Sequence, residues 1–554
     1  MRGPQLILLV LVSLETFVAS QDAIWDFQQG TASIAAGSSN FTLSGIQLDT
    51  SNCVGEYISI YGAESTVLTG RPGNGETETR YAPLTTTITS CSDATHGTTA
   101  VPASRTVTTG GACPPITGVT AAIPFSDGCT RVGHDVSAAI NAAFQTEGID
   151  TLPSNSYGFA AGTINIGTNH EIFGSNTHIY NGWEAGYSAT YPRGINTVAI
   201  VGSSHANRIN NAKVIGVLFD NGLDFNWNML GNGEPMGVFI EYASEVYVES
   251  SVISNTLRGI GVMEDANSVW LMSNAYYNNH EDSEHIGESY VAGDSVSNIT
   301  SSYAELHGYS DDGIAVVGGN VPCTNNNQPG GTVTDITIKN PIIQGSDNPG
   351  GGLIYNCAIQ LAGDVNGVTI YSPTIESPAY CSIAVEDWMG AMPQNVYVSG
   401  GSASYGTTSY PKNCIVSSPI VISNQVARNN PSCPAASAAN IEFDLMDINM
   451  GEAPGIKAFP YYVYSVQGAC FSVYGAVNSL WLGGDTCFND GDATGNYGVW
   501  LQEDSTGAGP ADVAIQYSTF DFVGGSSGPG ASQMLYNGTG NPVNATGNVI
   551  NYNQ

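Results

Sequence analysis

The sequence has little charge, and positive charge is especially scarce. Only 11% of its 554 residues are charged, and 13 Lys plus Arg stand against 48 Asp plus Glu, for a net charge of −35. Nucleic-acid binding needs a basic surface for the phosphates, so we expect no nucleic-acid partner. The same shortage of cations disfavours tight binding of a strongly anionic polysaccharide. A neutral glycan, or one held by a few placed cations, fits better.

Long apolar runs are also lacking. The longest covers about residues 6–14, follows Arg2 and ends in the small residues of 18–20. It is too short to span a membrane. Its layout predicts a secretory signal peptide over 1–20, cut before Gln21. We therefore expect a secreted, extracellular protein with no membrane partner.

Helix-forming Leu, Glu and Lys are scarce, whereas Gly (67 residues), Asn, Ser and Thr are abundant. These residues favour turns and short strands, so the composition predicts an all-β fold. The 11 cysteines of a secreted chain predict disulfide bonds, with at least one cysteine left over. Four N-x-S/T sequences mark possible glycan acceptors, which would make the protein a glycoprotein: Asn40, Asn298, Asn537 and Asn544.

An irregular repeat begins near residue 197. Six pieces, each an alternating strand followed by a polar corner, start at 237, 259, 289, 313, 358 and 382. The basic step of 22–24 residues, with insertions, matches one coil of a parallel β-helix and is too short for a propeller blade. In this register the residues before each strand form a column: Met236, Arg258, Glu288, Asp312, Cys357 and Cys381. We therefore predict a Cys357–Cys381 disulfide, with Cys113–Cys129, Cys414–Cys433 and Cys470–Cys487 as plausible local pairs.

Three parts follow from this reading. The signal peptide is followed by an irregular Ser/Thr-rich accessory region over 21–130, either a small β region with a surface loop or a glycosylated linker. A right-handed parallel β-helix then covers 131–554. The pattern over 134–147 predicts a short helix capped by Asp135, of the kind that closes the amino-terminal end of a β-helix. For residues 435–554 we favour further coils over a capping sheet.

The column suggests a catalytic centre. Asp311 and Asp312 lie side by side before an apolar strand, and the loop 278–288 next to them is rich in titratable groups. Two close carboxylates do not ionise equally, so one can protonate a leaving oxygen while the other activates water. The candidate catalytic residues are Asp312, Asp311, Glu288 and Asp282. The candidate substrate-binding residues are Arg258, His285, His280, His307 and Tyr309.

The stretch "YSDDGIAV" resembles the Asp-Asp strand start of the polygalacturonase family, whose members are right-handed parallel β-helices of the pectin-lyase-like type. The resemblance covers the helix plug and about six coils, and its motif match is Asp311-Asp312. It implies catalytic carboxylates in the pair and a third acid in the preceding coil, a place for Glu288 or Asp282. The family's Gly-His-Gly is missing from "YNCAIQLAG" (355–363), and no Arg-Ile-Lys motif occurs. The resemblance therefore does not imply pectin as the substrate.

Three functions remain open. The first is a secreted glycosidase cutting a polysaccharide or oligosaccharide, with Asp312 as acid and Asp311 or Glu288 activating water. The second is a polysaccharide lyase or uronate epimerase on the same fold, which needs a cation such as Arg258, Lys213 or Arg208. The third is a non-catalytic glycan-binding surface protein. We expect no cofactor and no metal, and we interpret the loop 278–288 as a solvated acidic loop rather than a metal site. The sequence does not fix the oligomeric state.

Overall fold

The computed structural model describes most of the chain. The described residues are 24–65, 67–69, 79–111, 113, 126–145, 148–181, 196–221, 236–279, 281–287, 291, 293–309, 312–319, 331–344, 357–376, 381–387, 390–404, 419–424, 436–449, 469–489, 497–503, 507–523 and 533–553. The chain forms two compact units. The first comprises Met1–Val201, Asn210–Phe239 and Val248–Arg258, and the second comprises Gly202–Ile209, Ile240–Tyr247 and Gly259–Gln554.

The first unit contains a closed antiparallel barrel. Its region holds β1 (Gln28–Ile34), β2 (Asn40–Ser44), β3 (Tyr57–Ile60), β4 (Val67–Thr69), β5 (Thr79–Tyr81), β6 (Leu84–Cys91), β7 (His96–Thr99) and β8 (Cys129–Gly133). The barrel order is β1-β2-β7-β6-β3-β8, with β8 paired to β1, and β4–β5 is a separate pair. Apolar side chains fill it, among them Ile34, Phe41, Ile58 and Leu84. The Ser/Thr-rich sequence expected to be irregular is thus a regular barrel over much of its length, because its apolar residues alternate inward.

A helix follows the barrel within the first unit, as predicted. Helix α1 spans Val136–Phe144, and the carboxylate of Asp135 caps it by accepting the N–H of Ser137 at 3.0 Å. Val136, Ile140 and Phe144 are buried, and α1 packs on β9, β10 and β11. The next strands are β9 (Ile149–Thr151), β10 (Tyr157–Ala160), β11 (Ile164–Asn165), β12 (Glu171–Asn181), β13 (Val198–Val201), β14 (Ile209–Asp220), β15 (Met236–Glu241), β16 (Ala243–Glu249), β17 (Val252–Ser254) and β18 (Arg258–Met263). Within the first unit, β10, β12, β14 and β17 pair in parallel.

The second unit is a stack of parallel coils. Its strands continue as β19 (Asn267–Met272), β20 (Ala275–Asn279), β21 (Glu284–Gly287), β22 (Val296–Ser302), β23 (Glu305–Tyr309), β24 (Ile314–Val317), β25 (Val333–Lys339), β26 (Ile342–Gln344), β27 (Cys357–Ala362), β28 (Val365–Tyr371), β29 (Thr374–Glu376), β30 (Cys381–Glu386), β31 (Gln394–Ser399), β32 (Ser402–Ser404), β33 (Ile420–Ser423), β34 (Ala438–Asp444), β35 (Asp447–Asn449), β36 (Ala469–Tyr474), β37 (Val477–Gly483), β38 (Thr486–Asn489), β39 (Tyr497–Gln502), β40 (Ala511–Gln516), β41 (Thr519–Val523), β42 (Gln533–Asn537), β43 (Val543–Thr546) and β44 (Val549–Asn553). The predicted parallel β-helix, including further coils after residue 435, is confirmed.

Each coil of this stack has three strands. The first strands, such as β21, β24, β27 and β30, pair into one parallel sheet, and the other two strands of each coil belong to a second sheet. A residue with left-handed backbone recurs at one place in the longer strand of eight successive coils, from β19 to β40, and it is Asn, Asp, Ser or Gly: Ser268, Asn298, Asp335, Gly367, Asn395, Asn440, Ser479 and Asp512. Some of their side chains bond between coils, as Asn440 does to Asn395 at 2.7 Å. This repeat places Asn, Asp, Ser or Gly at a fixed position of the coil.

The disulfides agree with the predicted register. Cys357 and Cys381 are opposite residues of β27 and β30, and they form a disulfide with Cα atoms 4.6 Å apart. The predicted pairs Cys113–Cys129 and Cys470–Cys487 are also present, and a further bond joins Cys53 to Cys91. The pair Cys414–Cys433 lies outside the described residues. Within the described part of the chain, no helix is long and apolar enough to cross a membrane.

One coil has a different register from the predicted one. The strand expected to begin after Glu288 is β21, at Glu284–Gly287, and Glu284 pairs with Ile314. Continued two residues back, this ladder sets Asp282, rather than Glu288, opposite Asp312. The alternation that misled the prediction belongs to β22, which lies in the other sheet. The ladder therefore places Asp282, one of the two positions proposed for the third acid, in the column of Asp312.

Candidate functional site

A chain of hydrogen bonds joins three coils at the corner before β21, β24 and β27. The N–H of Asp312 donates to Oδ1 of Asp282 at 3.0 Å. Oδ1 of Asp312 in turn accepts the N–H of Cys357 at 2.9 Å. Both aspartates are almost fully buried, at 4% and 3% exposure. The sequence brings them together because each precedes the first strand of its coil, and coils stack at the spacing of hydrogen-bonded strands.

The second oxygen of Asp282 holds a histidine. Nδ1 of His285 lies 2.7 Å from Oδ2 of Asp282, and the imidazole is 2% exposed. A carboxylate at Nδ1 fixes the ring orientation and favours the tautomer with its proton on Nδ1, which makes Nε2 the basic nitrogen. The corner therefore combines an oriented imidazole with two carboxylates, the groups needed for general acid–base chemistry.

The neighbouring Glu284 faces the opposite way. Its partners in the ladder are Ile260 and Ile314, both core residues, so the carboxyl occupies a position that adjacent coils fill with isoleucine. The hydroxyl of Tyr276 donates to Oε1 of Glu284 at 2.7 Å. Burial raises the pKa of Glu284 to about 7, and the bond from Tyr276 partly opposes this. Alternation along β21 thus directs Glu284 inward and His285 outward.

These contacts correct the expectation of a solvated acidic loop. Glu281, Asp282, Glu284 and His285 are each at most 4% exposed. In addition, every residue of β21 and β24 is buried, so both faces of these strands are covered. The charge-rich sequence looked solvated because its acidic residues were assumed to point to water, whereas a corner and a strand bury them.

The remaining predicted residues lie elsewhere or are not described. His307 is in the other sheet, where its Nε2 lies 2.8 Å from Oε1 of Glu305 and its ring stacks on Tyr277. Tyr309 ends β23 and is 1% exposed, so it fills the interior rather than offering an open ring face. Arg258 is 6% exposed and is the last residue of the first unit. Asp311, Glu288 and His280 lie outside the described residues.

A second cluster in the second unit was missed by the sequence reasoning. Asp265 is 2% exposed and bonds both His205 (Nδ1 to Oδ2, 2.7 Å) and Arg208 (Nε to Oδ2, 2.7 Å). Arg208 also reaches the other oxygen of Asp265. Asp294 lies within the same group. Partial burial and a hydrogen bond to Asp294 raise the pKa of Tyr242 beside it.

The chemistry of this second cluster is dominated by Arg208. Its guanidinium already supplies the positive charge that Asp265 requires, so the group does not need a metal ion. His205 is 70% exposed and is the accessible member. The sequence signal was present in "SSHANR" and "MEDAN", but only the coil register brings these segments together.

Comparisons with solved structures find the same architecture. The A-module of mannuronan C-5 epimerase AlgE6 from Azotobacter vinelandii matches 75% of this chain and 95% of its own length, with 14% identity and a TM-score of 0.51. The catalytic domain of a GH87 α-1,3-glucanase in complex with tetrasaccharides covers 94% of this chain and 89% of its own, with 10% identity and a TM-score of 0.48. PfbA, a surface adhesin of Streptococcus pneumoniae, covers 71% and 88%, with 9% identity and a TM-score of 0.47. No family model and no curated protein matches the chain.

Proposed function

We propose that the protein is a carbohydrate-active enzyme that hydrolyses glycosidic bonds, with its centre at the corner of Asp282, His285 and Asp312. The observation that carries the proposal is the hydrogen-bonded chain from His285 through Asp282 to the backbone of Asp312, next to the sequence neighbour Asp311. Likeness at 14% identity establishes the architecture alone, so the chemistry has to come from these residues.

The roles follow from the bonds. Asp282 is a positioning residue, because its two oxygens are engaged by His285 and by the Asp312 backbone. Asp311 and Asp312, neighbours in sequence, are the proposed acid and water-activating pair, because glycoside hydrolysis needs one protonated and one ionised carboxyl group. The low content of Lys and Arg supports a neutral glycan as the substrate. The amino-terminal leader pattern and the disulfides support secretion.

The experiment is a product analysis over a panel of neutral glucans, galactans and mannans, with uronans alongside. Hydrolysis creates new reducing ends without the ultraviolet absorbance of an unsaturated sugar. Unsaturated ends would instead indicate a lyase, and an inverted uronate without cleavage would indicate an epimerase. Binding to a glycan without any product would support the surface-protein alternative and contradict the enzyme.

The matched variants are Asp312→Asn and Asp335→Asn. The amide oxygen of asparagine can still accept the N–H of Cys357, so Asp312→Asn should fold while hydrolysis falls by about 10²–10⁴-fold. Asp335 carries an exposed carboxylate at a left-handed position in the same coil, where asparagine is well tolerated. Its substitution should leave activity unchanged. Full activity in Asp312→Asn would remove this residue from the proposed site.

The lyase or epimerase remains a second candidate because of one observation. The cluster of Asp265 brings together the exposed imidazole of His205, the guanidinium of Arg208, and the side chains of Tyr242 and Asp294. A guanidinium can bind the carboxylate of a uronate, and an imidazole or a tyrosine hydroxyl can accept or donate its α-proton. His205→Gln separates the two candidates. This variant should lose elimination or epimerisation activity if the protein is a lyase or epimerase. It should keep its hydrolytic activity if the protein is a glycosidase.

A further inference from the structure

A separate group of ligand-type side chains lies at one edge of the barrel in the first unit. Asp26, Glu56 and His134 each offer an atom within 4.8 Å of the others. Neither the hydrolytic site nor the Asp265 cluster includes them. Asp26 and Glu56 are 30 residues apart in sequence, and Glu56 and His134 are 78 residues apart, so the three do not form a local sequence motif.

The barrel register explains why they meet. Strand β8 lies between β1 and β3, with Gln28 opposite Val132 in one ladder and Tyr57 opposite Gly133 in the other. Both ladders are antiparallel. Continued outward, they set Asp26 and Glu56 on either side of His134. Side chains directly opposite on neighbouring strands have Cβ atoms about 5 Å apart. Three such side chains are close enough to bind one ion together.

His134 contacts Asp26 closely and Glu56 only at longer range. Nδ1 of His134 lies 2.6 Å from Oδ2 of Asp26 and 4.0 Å from Oε1 of Glu56. Oδ1 of Asp26 also accepts the backbone N–H of His134 at 2.9 Å, which fixes that carboxylate. The edge of a tetrahedron with bonds of 2.0–2.1 Å is about 3.3 Å, so each distance must change by about 0.7 Å for all three groups to bind one ion.

The group sets two carboxylates against a single imidazole. The side chain of Glu56 is 5% exposed, and among the described residues none donates a hydrogen bond to its carboxylate. No described Lys or Arg forms an ion pair with Asp26, Glu56 or His134. In the Asp265 cluster, Arg208 supplies a permanent positive charge. Around Asp26 and Glu56, the described residues provide only the imidazole of His134.

We infer that Asp26, Glu56 and His134 form a binding site for a divalent transition-metal ion such as Zn²⁺. One imidazole nitrogen and two carboxylate oxygens are a ligand set for Zn²⁺ with a fourth position for water. Ca²⁺ prefers six to eight oxygen ligands and is disfavoured by the imidazole. The ion would tie the segments before β1 and β3 to the residue after β8, directly ahead of the cap of α1.

The test is a zinc titration of the full chain after chelator treatment, with a chromophoric competitor to give stoichiometry and affinity. Wild type should bind one Zn²⁺ that Glu56→Gln loses or binds more than about 100-fold more weakly, since loss of a ligand exceeds the usual cost of losing a supporting contact. The matched control is Asp93→Asn. It breaks the exposed pair of Asp93 and His96 in the same barrel and should leave this ion in place. Equal affinity in wild type and Glu56→Gln, or no stoichiometric binding, would overturn the inference.

X-ray absorption on zinc-loaded wild type keeps the test decisive if Glu56→Gln fails to fold. The expected first shell is one imidazole with oxygen ligands, because His134 is the histidine of the group. A shell with two or more imidazoles, or with sulfur, would place the ion elsewhere and contradict the assignment. Mn²⁺ and Ca²⁺ titrations complete the series, and tighter binding of Ca²⁺ than of Zn²⁺ would refute the proposed class of ion.

Discussion

Glu284 makes the stability of the second unit depend on pH in an unusual direction. Its carboxyl is completely buried beside Tyr276, between core positions held by Ile260 and Ile314. Substitution Glu284→Gln keeps the shape and an acceptor for the tyrosine hydroxyl but removes the ionisable group. We expect this variant to match wild type at pH 4 and to be the more stable protein at pH 8.

The magnitude follows from the pKa of Glu284. Burial raises it from an ordinary 4.5 to about 7, and a change of one in pKa corresponds to about 1.4 kcal/mol. Below pH 4.5 the group is protonated in both states and contributes nothing. Between pH 4.5 and about 7 only the unfolded chain ionises, so wild type loses stability as the pH rises. Above that window the full penalty of about 3 kcal/mol applies, and Glu284→Gln removes it.

A local measurement suits this prediction, because a chain with two compact units has no single well-defined unfolding free energy. Hydrogen exchange of peptides from β20 to β24 reports the opening free energy of the affected coils. Glu376→Gln, which removes an exposed carboxylate from the same unit, corrects for the general loss of charge. A difference between Glu284→Gln and wild type that stays constant from pH 4 to pH 8 would refute the reasoning.

Two further predictions concern the contacts between coils. Replacing both Cys357 and Cys381 by alanine should reduce the opening free energy of β27 and β30 by about 3 kcal/mol, since the bond closes a loop of 24 residues; unchanged exchange rates there would contradict it. Gly287→Ala should destabilise the second unit by about 1–3 kcal/mol, because φ is +121° and a Cβ would meet the carbonyl oxygen of Val317 at 2.0 Å. Gly293 also has a positive φ, but a Cβ added there would meet no atom within 4 Å, so Gly293→Ala measures the backbone strain alone. An equal loss of thermal stability in both variants would rule out a contribution from the clash with Val317.

The sequence was sufficient for features that repeat locally. The 45- and 24-residue steps around Cys357 and Cys381 follow from alternating apolar residues, and the disulfide between them follows from the register. The capped helix after Asp135 likewise depends on a few neighbouring residues. Such patterns are predictable because the same spacing sets both the coil and its core.

Other features depend on contacts that spacing does not encode. The coil containing Glu284 was misplaced because a glutamate occupies a core position, and binary patterning reads an acidic residue as solvent-facing. Asp265 could not be joined to His205, since this requires knowing which residues of distant segments share a corner. For the barrel region, a small β region and a glycosylated linker both stayed open, because its strands are rich in Ser and Thr, which also suit a linker.

The position of Glu284 supports the proposed site on energetic grounds. An isoleucine at this place would continue the columns of Ile260 and Ile314 and would avoid a penalty of about 3 kcal/mol at neutral pH. The same strand carries His285, held by Asp282 at 2.7 Å on the other face. Regions where a chain tolerates a buried, destabilising charge are commonly those where function rather than stability determines the residues. Ionisation of Glu284 also adds a negative charge to the strand that carries His285, so Glu284→Gln should change the pH profile of activity near pH 7 as well as stabilise the fold. An unchanged pH profile in an active, stabilised Glu284→Gln protein would show that the buried acid serves the core alone.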